Sequence, residues 1–530
     1  MLHTVQATRG IVTAPHHLAN ETGLAILREG GNAVEAMLGM AATIAVVYPH
    51  MNAIGGDGFW LIAAPGAEAA GIDAAGIAAA DIAFYRESGS DRIPFRGPLA
   101  ANTVAGTLAG WAQAKETAGR MGGRLPWSRL LADAIGYARD GFPVSDSQHR
   151  YTREKIDELR AVPGFAPVFL NDDGAAPPPG SLFRQPALAA TLTRLAEAGP
   201  IDFYKGDLAA LVAQDLAAVG SPVGRSDLDA YAARRVVPLV LPLSVGTAYN
   251  LPPPTQGLAS LMILGLFDRM NWRDFAPDEF RHIHTLVEAT KRAFTVRDRD
   301  IADPDVMAAP AQTFITAPAL DDAARGLEAG TATPWGPEQD RADTVWMGAI
   351  DGAGRAVSFI QSIYWEFGAG VVLPETGILW QNRGASFSLD PGALRAIAPG
   401  RRPFHTLNPA LATLKDGRTL VYGAMGGDGQ PQSQAALFTR IAMFGQALQT
   451  ATTAPRWLLG RTWGAESTSL KLEDRFEPQV IEALRDAGHT VELVAPFDDL
   501  MGHAGALARD ADGILTGAGD PRSDGMAAGF

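Results

Sequence analysis

Thr344 stands where a polar connector, TATPWGPEQDRAD (residues 331–343), gives way to an apolar β-rich run, TVWMGAID. Pro334, Gly336 and Pro337 keep that connector from holding a helix or a central strand. A hydroxyl at the head of a core strand, directly after such a connector, suits a chain that cuts itself there. Cleavage between Asp343 and Thr344 would expose Thr344 as a new N-terminus, its hydroxyl the nucleophile and its own α-amine the base. Threonine is also an ordinary strand former, so the residue alone does not decide the matter.

Three further patterns could carry chemistry. GAMGGDGQPQ (Gly423 to Gln432) reads as strand, glycine-rich turn and helix. It lacks the Gly-Lys-Ser/Thr of a phosphate loop and is not GxGxxG. The N–H groups of Gly426 and Gly427 could instead form an oxyanion hole, or the turn could be purely structural. His282 and His284 form HxH, but residues two apart on a helix diverge, so a shared metal is poorly served. Arg383, in GILWQNRGASF, could fork onto a carboxylate, or could be an ordinary solvated loop arginine. GxSxG is absent, which disfavours an α/β-hydrolase.

The elements that must position these residues are legible in outline. Asn20 is placed to cap a helix over ETGLAILREGG, and Asn32 a second one over AVEAMLGMAATIAVVYP. A glycine-rich junction, Gly55 to Gly58, then lets backbone approach something closely before the strand FWLIAA and another near AGIDA. Residues 103–320 read as mainly helical. After Thr344 the texture changes to strands, in TVWMGAID, RAVSFIQSIY, GILWQN, PALATLKDG and TLVYGAMGG, and then a helix over QPQSQAALFTRIAMFGQAL. On that helix Leu437, Ile441 and Phe444 share a face. This order predicts a layered α/β (α+β) arrangement.

Composition narrows the function classes. In 530 residues there are 44 Lys plus Arg against 58 Asp plus Glu, a net charge of −14 with no basic cluster, which argues against nucleic acid. With Cys 0 there is no disulfide, thiolate nucleophile or cysteine-based zinc site. Hydrophobic residues make up 47%, enough for a large core, and no linker divides the chain, so one domain over 1–530 is expected. The start lacks a secretory pattern and the apolar stretch at 33–47 is too short to span a bilayer of about 30 Å, so a cytoplasmic protein with no membrane partner is expected.

Together these segments resemble the γ-glutamyltranspeptidase family of N-terminal nucleophile (Ntn) hydrolases. The resemblance spans nearly the whole chain, from ETGLAILREGGNAVEAMLGMAATIAVVYPHMNAIGGDGF, through LPWSRLLADAIGYARDGFPVSD and HTLVEATKRAFTVRDRDIADPD, to APRW, MGHA and DPRSDGMAAG. It implies a four-layer αββα sandwich, cleaved into a large subunit (1–343) and a small one (344–530) that stay together as a heterodimer or a dimer of heterodimers. The family's catalytic threonine falls on Thr344, its supporting hydroxyl on Ser362 and its oxyanion glycines on Gly426 and Gly427. It implies no cofactor and no metal.

The family's substrate residues are not kept. Its carboxylate-binding arginine, in a D-x-R-E context, falls on Ala75 in Ile72-Asp73-Ala74-Ala75-Gly76. Its Asn becomes Tyr364, its Gln becomes Arg383, its amine-binding Asp becomes Ser386, and its paired serines become His405 and Thr406. Each lost charged hydrogen bond is worth roughly 1.5 to 3 kcal/mol, which argues against a γ-glutamyl substrate. Arg383 with a nearby His405 reads as a cationic pocket for a small-molecule amide bearing a carboxylate but no ammonium. That description resembles the oxamate amidohydrolase branch; glutaryl-type cephalosporin acylases, a γ-glutamyl hydrolase or transpeptidase, and a non-catalytic binding protein on the same fold are the alternatives.

Overall fold

The computed structural model describes residues 3–87, 89–327, 330–336, 343–460 and 467–530. Of the connector expected at 331–343, residues 337–342 lie outside the described residues. Two seven-stranded sheets stack face to face. The first contains, in order across the sheet, Met526–Gly529, Gly10–Ala14, Asp343–Asp351, Ala356–Tyr364, Asp57–Ala63, Ala70–Ala74 and Arg234–Val236. The second contains Val5–Ala7, Leu515–Gly519, Ala504–Arg509, Thr419–Ala424, Ala410–Leu414, Gly246–Asn250 and Leu239–Leu243. Every pairing within the two is antiparallel.

Alternation along the strands sorts side chains between two cores. In Asp343–Asp351, Val345, Met347 and Ala349 pack with the helices His17–Arg28, Ala33–Val47 and Thr107–Arg120 on the outer face of the first sheet. Trp346 and Ile350 turn inward with Phe59, Ile360, Leu411, Val421 and Leu507 to fill the space between sheets. Gly257–Phe267, Phe280–Asp300 and Gln430–Phe438 cover the other side of the second sheet. The result is the expected four-layer αββα sandwich. Thr344 and Ser362 share the inward face with Trp346 and Ile360, at the strand ends, so their hydroxyls open between the two sheets.

Local chemistry departs from expectation at several points. The second helix is capped as predicted: Asn32 Oδ1 accepts from the N–H groups of Val34 and Glu35, and Glu35 returns a bond to the Asn32 N–H. The first begins earlier, at His17, with His16 rather than Asn20 as its cap. The stretch read as helical contains Arg234–Val236, Leu239–Leu243 and Gly246–Asn250, strands that extend both sheets, and a short separate pair, Phe142–Pro143 with Leu182–Phe183. GILWQN forms no strand and makes only isolated bridges, Val372 to Leu379 and Gly55 to Trp380. The helix at Gln430 gives way after Phe438 to a π-turn over Thr439–Met443, leaving Phe444 beyond the turn instead of on a continuous face with Leu437 and Ile441.

Candidate active site

Thr344 is fully buried at the start of a strand in the middle of the first sheet. The pairing with Ala356–Tyr364 shifts register between Asp343 and Val345, a bulge-like irregularity that re-aims the side chain between them. Its Oγ1 donates to Ser362 Oγ at 3.4 Å and accepts from Gln430 Nε2 at 3.4 Å. The Tyr364 N–H donates to Ser362 Oγ at 2.8 Å, which orients that hydroxyl in turn. Tyr364 holds a φ of 83°, a left-handed conformation that an aromatic residue rarely adopts, and the strand ends there. The glycine junction approaches from the other side: a Cβ on Gly56 would lie 2.1 Å from the Ser362 carbonyl oxygen, and one on Gly55 2.2 Å from that of Leu379.

That junction also carries Asp57, which sequence reasoning passed over. Its Oδ1 accepts from the Gly76 N–H at 2.9 Å, the Gly106 N–H at 3.0 Å and Gln381 Nε2 at 3.0 Å. Oδ2 accepts from His405 Nε2 at 2.9 Å. Burial pushes His405 down to about 4, and the Arg383 charge adds to the shift while Asp57 opposes it. His405 is therefore neutral near pH 7, which corrects its reading as part of a cationic pocket. Its Nδ1 and the neighbouring Thr406 Oγ1 are buried without hydrogen-bond partners among the described residues.

Arg383 is buried at the head of a 3₁₀ turn, Arg383–Ser386, rather than solvated in a loop. Its guanidinium lies 3.8 Å from the Tyr364 ring centroid and 5.9 Å from that of Phe404, a stacked position that suits the planar fork. Ser386 turns its hydroxyl onto the carbonyls of Arg383 at 3.0 Å and Phe404 at 3.3 Å, so its donor is already spent on the backbone.

The glycine turn after Thr419–Ala424 has φ of 117° at Gly426 and 52° at Gly427, both in the region that glycine enters without penalty. It is braced from beneath. Gln256 Nε2 donates to the carbonyls of Gly427 and Thr406, both at 2.8 Å, while Gln256 Oε1 accepts from Arg297 Nη1 at 3.1 Å. Arg297 also pairs with Asp428 at 2.7 Å, both side chains 1% exposed. The turn ends at Gln430, the residue that reaches Thr344. Gln256, Arg297 and Gln430 were not anticipated; Gln430 lies in the polar run GGDGQPQSQ and Arg297 in the charged run RDRD, so no local pattern marks either as buried.

His282 and His284 diverge as their spacing predicts. His282 bonds Thr439 Oγ1 at 2.9 Å, and His284 Nδ1 meets His489 Nε2 at 2.9 Å. With Glu288, one turn further on, His284 and His489 bring three potential metal ligands within 4.8 Å of one another. The Glu288 carboxylate, however, is already neutralised by Lys291 at 2.6 Å and held by Thr333. A second cation there would sit against that ammonium, so the donor set does not fit a metal.

With this geometry in place, comparison with known proteins is informative. The gamma-glutamyltranspeptidase family model matches residues 19–530. The chain belongs to that family. An oxamate amidohydrolase proenzyme of Klebsiella pneumoniae is 56% identical over 525 residues, 99% of either chain. A glutathione hydrolase-like YwrD proenzyme of Bacillus subtilis is 38% identical over 100% of both. Among solved structures, a cephalosporin acylase from Bacillus halodurans superposes with a TM-score of 0.91 at 30% identity, covering 100% of this chain and 97% of that one. This family member is an enzyme that acts on amide C–N bonds. No helix among the described residues is long and apolar enough to cross a membrane.

Proposed function

We propose that the chain is a self-processing amidohydrolase that cleaves itself between Asp343 and Thr344 and then hydrolyses a small carboxylate-bearing amide, oxamate fitting best. The observation that carries this reading is the convergence of Ser362 and Gln430 on the Thr344 hydroxyl, with Arg383 stacked on Tyr364 two residues beyond Ser362. Self-cleavage begins with attack of Thr344 Oγ1 on the Asp343 carbonyl carbon, shifting the acyl group from nitrogen to oxygen. That shift breaks the C–N bond and frees the α-amine; water then hydrolyses the ester, leaving the Asp343 carboxylate and the free Thr344 hydroxyl.

In turnover that amine, with a reference pKa of about 7.7 to 8.0, takes the Thr344 proton as Oγ1 attacks the substrate amide. The N–H groups of Gly426 and Gly427 hold the oxyanion. The α-ammonium returns its proton to the departing nitrogen, ammonia leaves, and water hydrolyses the oxalyl ester to oxalate. Arg383 pairs with the substrate carboxylate. His405 Nδ1 and Thr406 meet its N–H groups, and Tyr364 limits its size. The large and small subunits stay interwoven, because the strand headed by Thr344 and its partner Ala356–Tyr364 together lie between Gly10–Ala14 and Asp57–Ala63 of the large one in the same sheet.

The kinship with the Klebsiella proenzyme supports oxamate. Ala75 and Ser386, where the family binds the γ-glutamyl carboxylate and amine, weigh against glutamyl substrates. The likeness to a cephalosporin acylase supports glutaryl-type amides as a second reading. Ammonia release across oxamate, glutaryl amides and γ-glutamyl amides separates them: oxamate is expected to lead by at least tenfold, and a lead by either other class overturns the substrate assignment. On a denaturing gel the wild type should resolve into 1–343 and 344–530, while Thr344→Ala stays full length. A processed Thr344→Ala chain would remove Thr344 as nucleophile.

A further inference from the structure

We infer that Gln430 is a further catalytic residue, donating a hydrogen bond from Nε2 to the Thr344 oxygen as negative charge develops there. The inference rests on Thr344 being the nucleophile. Gln430 opens the helix Gln430–Phe438 directly after the glycine turn, and its side chain is fully buried. It has Pro431 behind it and the turn braced by Gln256 and Arg297 before it, so the carboxamide is carried on rigid backbone.

The chemistry needs such a donor. When Oγ1 attacks, it gives its proton to the α-amine; when the acyl-enzyme is hydrolysed, the same oxygen departs with the bonding electron pair. A donor held on that atom stabilises both steps. Ser362 is itself engaged by the Tyr364 N–H and accepts from Thr344, so it orients the hydroxyl proton, whereas Gln430 approaches as a donor. Its neutrality matters: a lysine or arginine here would oppose protonation of the nearby α-amine, the base on which the reaction relies. Gln430 Oε1 is buried with no hydrogen-bond partner among the described residues, leaving an acceptor that N–H groups of the freed amine or of an amide substrate can fill.

The test uses Gln430→Met, close in shape but without a donor, and Gln430→Glu, which donates only when protonated. Freshly purified precursor is followed by denaturing gel for self-cleavage, and processed enzyme for kcat and KM on oxamate. For Gln430→Met, self-cleavage and kcat are expected to fall roughly 100- to 1,000-fold, the scale of one lost donor at a reacting oxygen, with KM within about threefold. For Gln430→Glu, self-cleavage relative to wild type should recover as pH is lowered from 8 to 5, an acid rescue that a merely structural role would not produce.

Gln430→Met cleaving itself within twofold of wild type overturns the inference, as does a Gln430→Glu deficit that pH does not change. Self-cleavage needs no knowledge of the amide, so inactivity on oxamate leaves this readout intact. If Thr344→Ala is still processed, the nucleophile assignment falls. If Thr344→Ala is inert while Gln430→Met is unimpaired, only the role of Gln430 falls.

Discussion

Asp57 Oδ2 accepts the Nε2 hydrogen of His405 at 2.9 Å, and this single bond decides which face His405 offers a ligand. A carboxylate that also takes three donors on its other oxygen can only accept. His405 is thus the Nε2–H tautomer, and its buried Nδ1 presents a lone pair. In the proposed function it would recognise N–H groups and leave the carboxylate to Arg383. His405→Phe should weaken oxamate binding about tenfold, roughly the 1.5 kcal/mol of one hydrogen bond. Inhibition by oxalate, which lacks an N–H, should change less than threefold. Equal losses for both ligands would return His405 to the role of anion binder.

Arg383 makes a sharper demand. Its guanidinium is buried and stacked 3.8 Å from the centroid of the Tyr364 ring, a geometry that an ammonium on a flexible stem cannot reproduce. Arg383→Lys, although it keeps the charge, should raise KM for oxamate between about 10- and 100-fold, as expected for loss of a charge-assisted hydrogen bond worth roughly 1.5 to 3 kcal/mol. Self-cleavage, which involves no free carboxylate substrate, should proceed within threefold of wild type. Steady-state kinetics beside a processing time course checks both. A Lys variant with unchanged KM would move carboxylate recognition elsewhere.

These two residues show what a sequence can and cannot reveal about such a site. A layered α/β arrangement was legible because period-two apolar runs, the Asn32 cap and the helix–strand order are local signals, while the αββα order of the layers came from the family resemblance. The segments around them singled out Thr344, Ser362 and the Gly426–Gly427 turn, and the structure brings the Thr344 and Ser362 hydroxyls within 3.4 Å. The charge state of His405 was not, because it depends on Asp57, which is 348 positions away in the chain. The edge strands over residues 234–250 were missed because short alternating segments beside helices carry little periodicity of their own. Gln256 and Arg297 escaped notice because a cap position and a charged last helical turn normally face water; their meaning lies in the turn they support.

That support leads to a third prediction. Arg297 and Asp428 form an ion pair in which both side chains are 1% exposed, directly beneath the glycine turn. Removing one member of a buried pair strands the other, typically at about 3 to 5 kcal/mol. Arg297→Met should therefore lower the thermal midpoint markedly and slow self-cleavage. Asp428→Asn, which keeps an acceptor for Arg297, should cost less of both. Denaturation midpoints and gel-followed processing measured on the same preparations test the ordering. An Arg297→Met protein as stable as wild type would show that the pair does not hold the turn.

The buried histidines give stability a definite pH dependence. Burial pushes His16 down to about 3 and His405 to about 4, and it holds His50 and His282 well below the ordinary value of 6.5. As pH falls below about 6.5 the unfolded chain takes up protons that the native imidazoles refuse, so stability is full above that point. It is lost as pH falls from 6.5 through about 4 for His405, and on to about 3 for His16. At pH 5 each of these two contributes a loss of about 2 kcal/mol, at 1.36 kcal/mol per unit. Asp73 works the other way: burial raises it to about 6, so its penalty, present above that value, is relieved on acidification. Asp498 is likewise raised by burial, but His284, His489 and His503 are lowered with the other four, so two carboxyls against seven imidazoles leave the histidines dominant. The thermal midpoint should drop between pH 7.5 and pH 5, with the decline starting near 6.5, and His405→Phe should flatten the slope because it removes one of the titrating groups. A midpoint that held constant or rose over this range would mean that these imidazoles are solvated and protonated in the native state, and the neutral acceptor assigned to His405 would go with them.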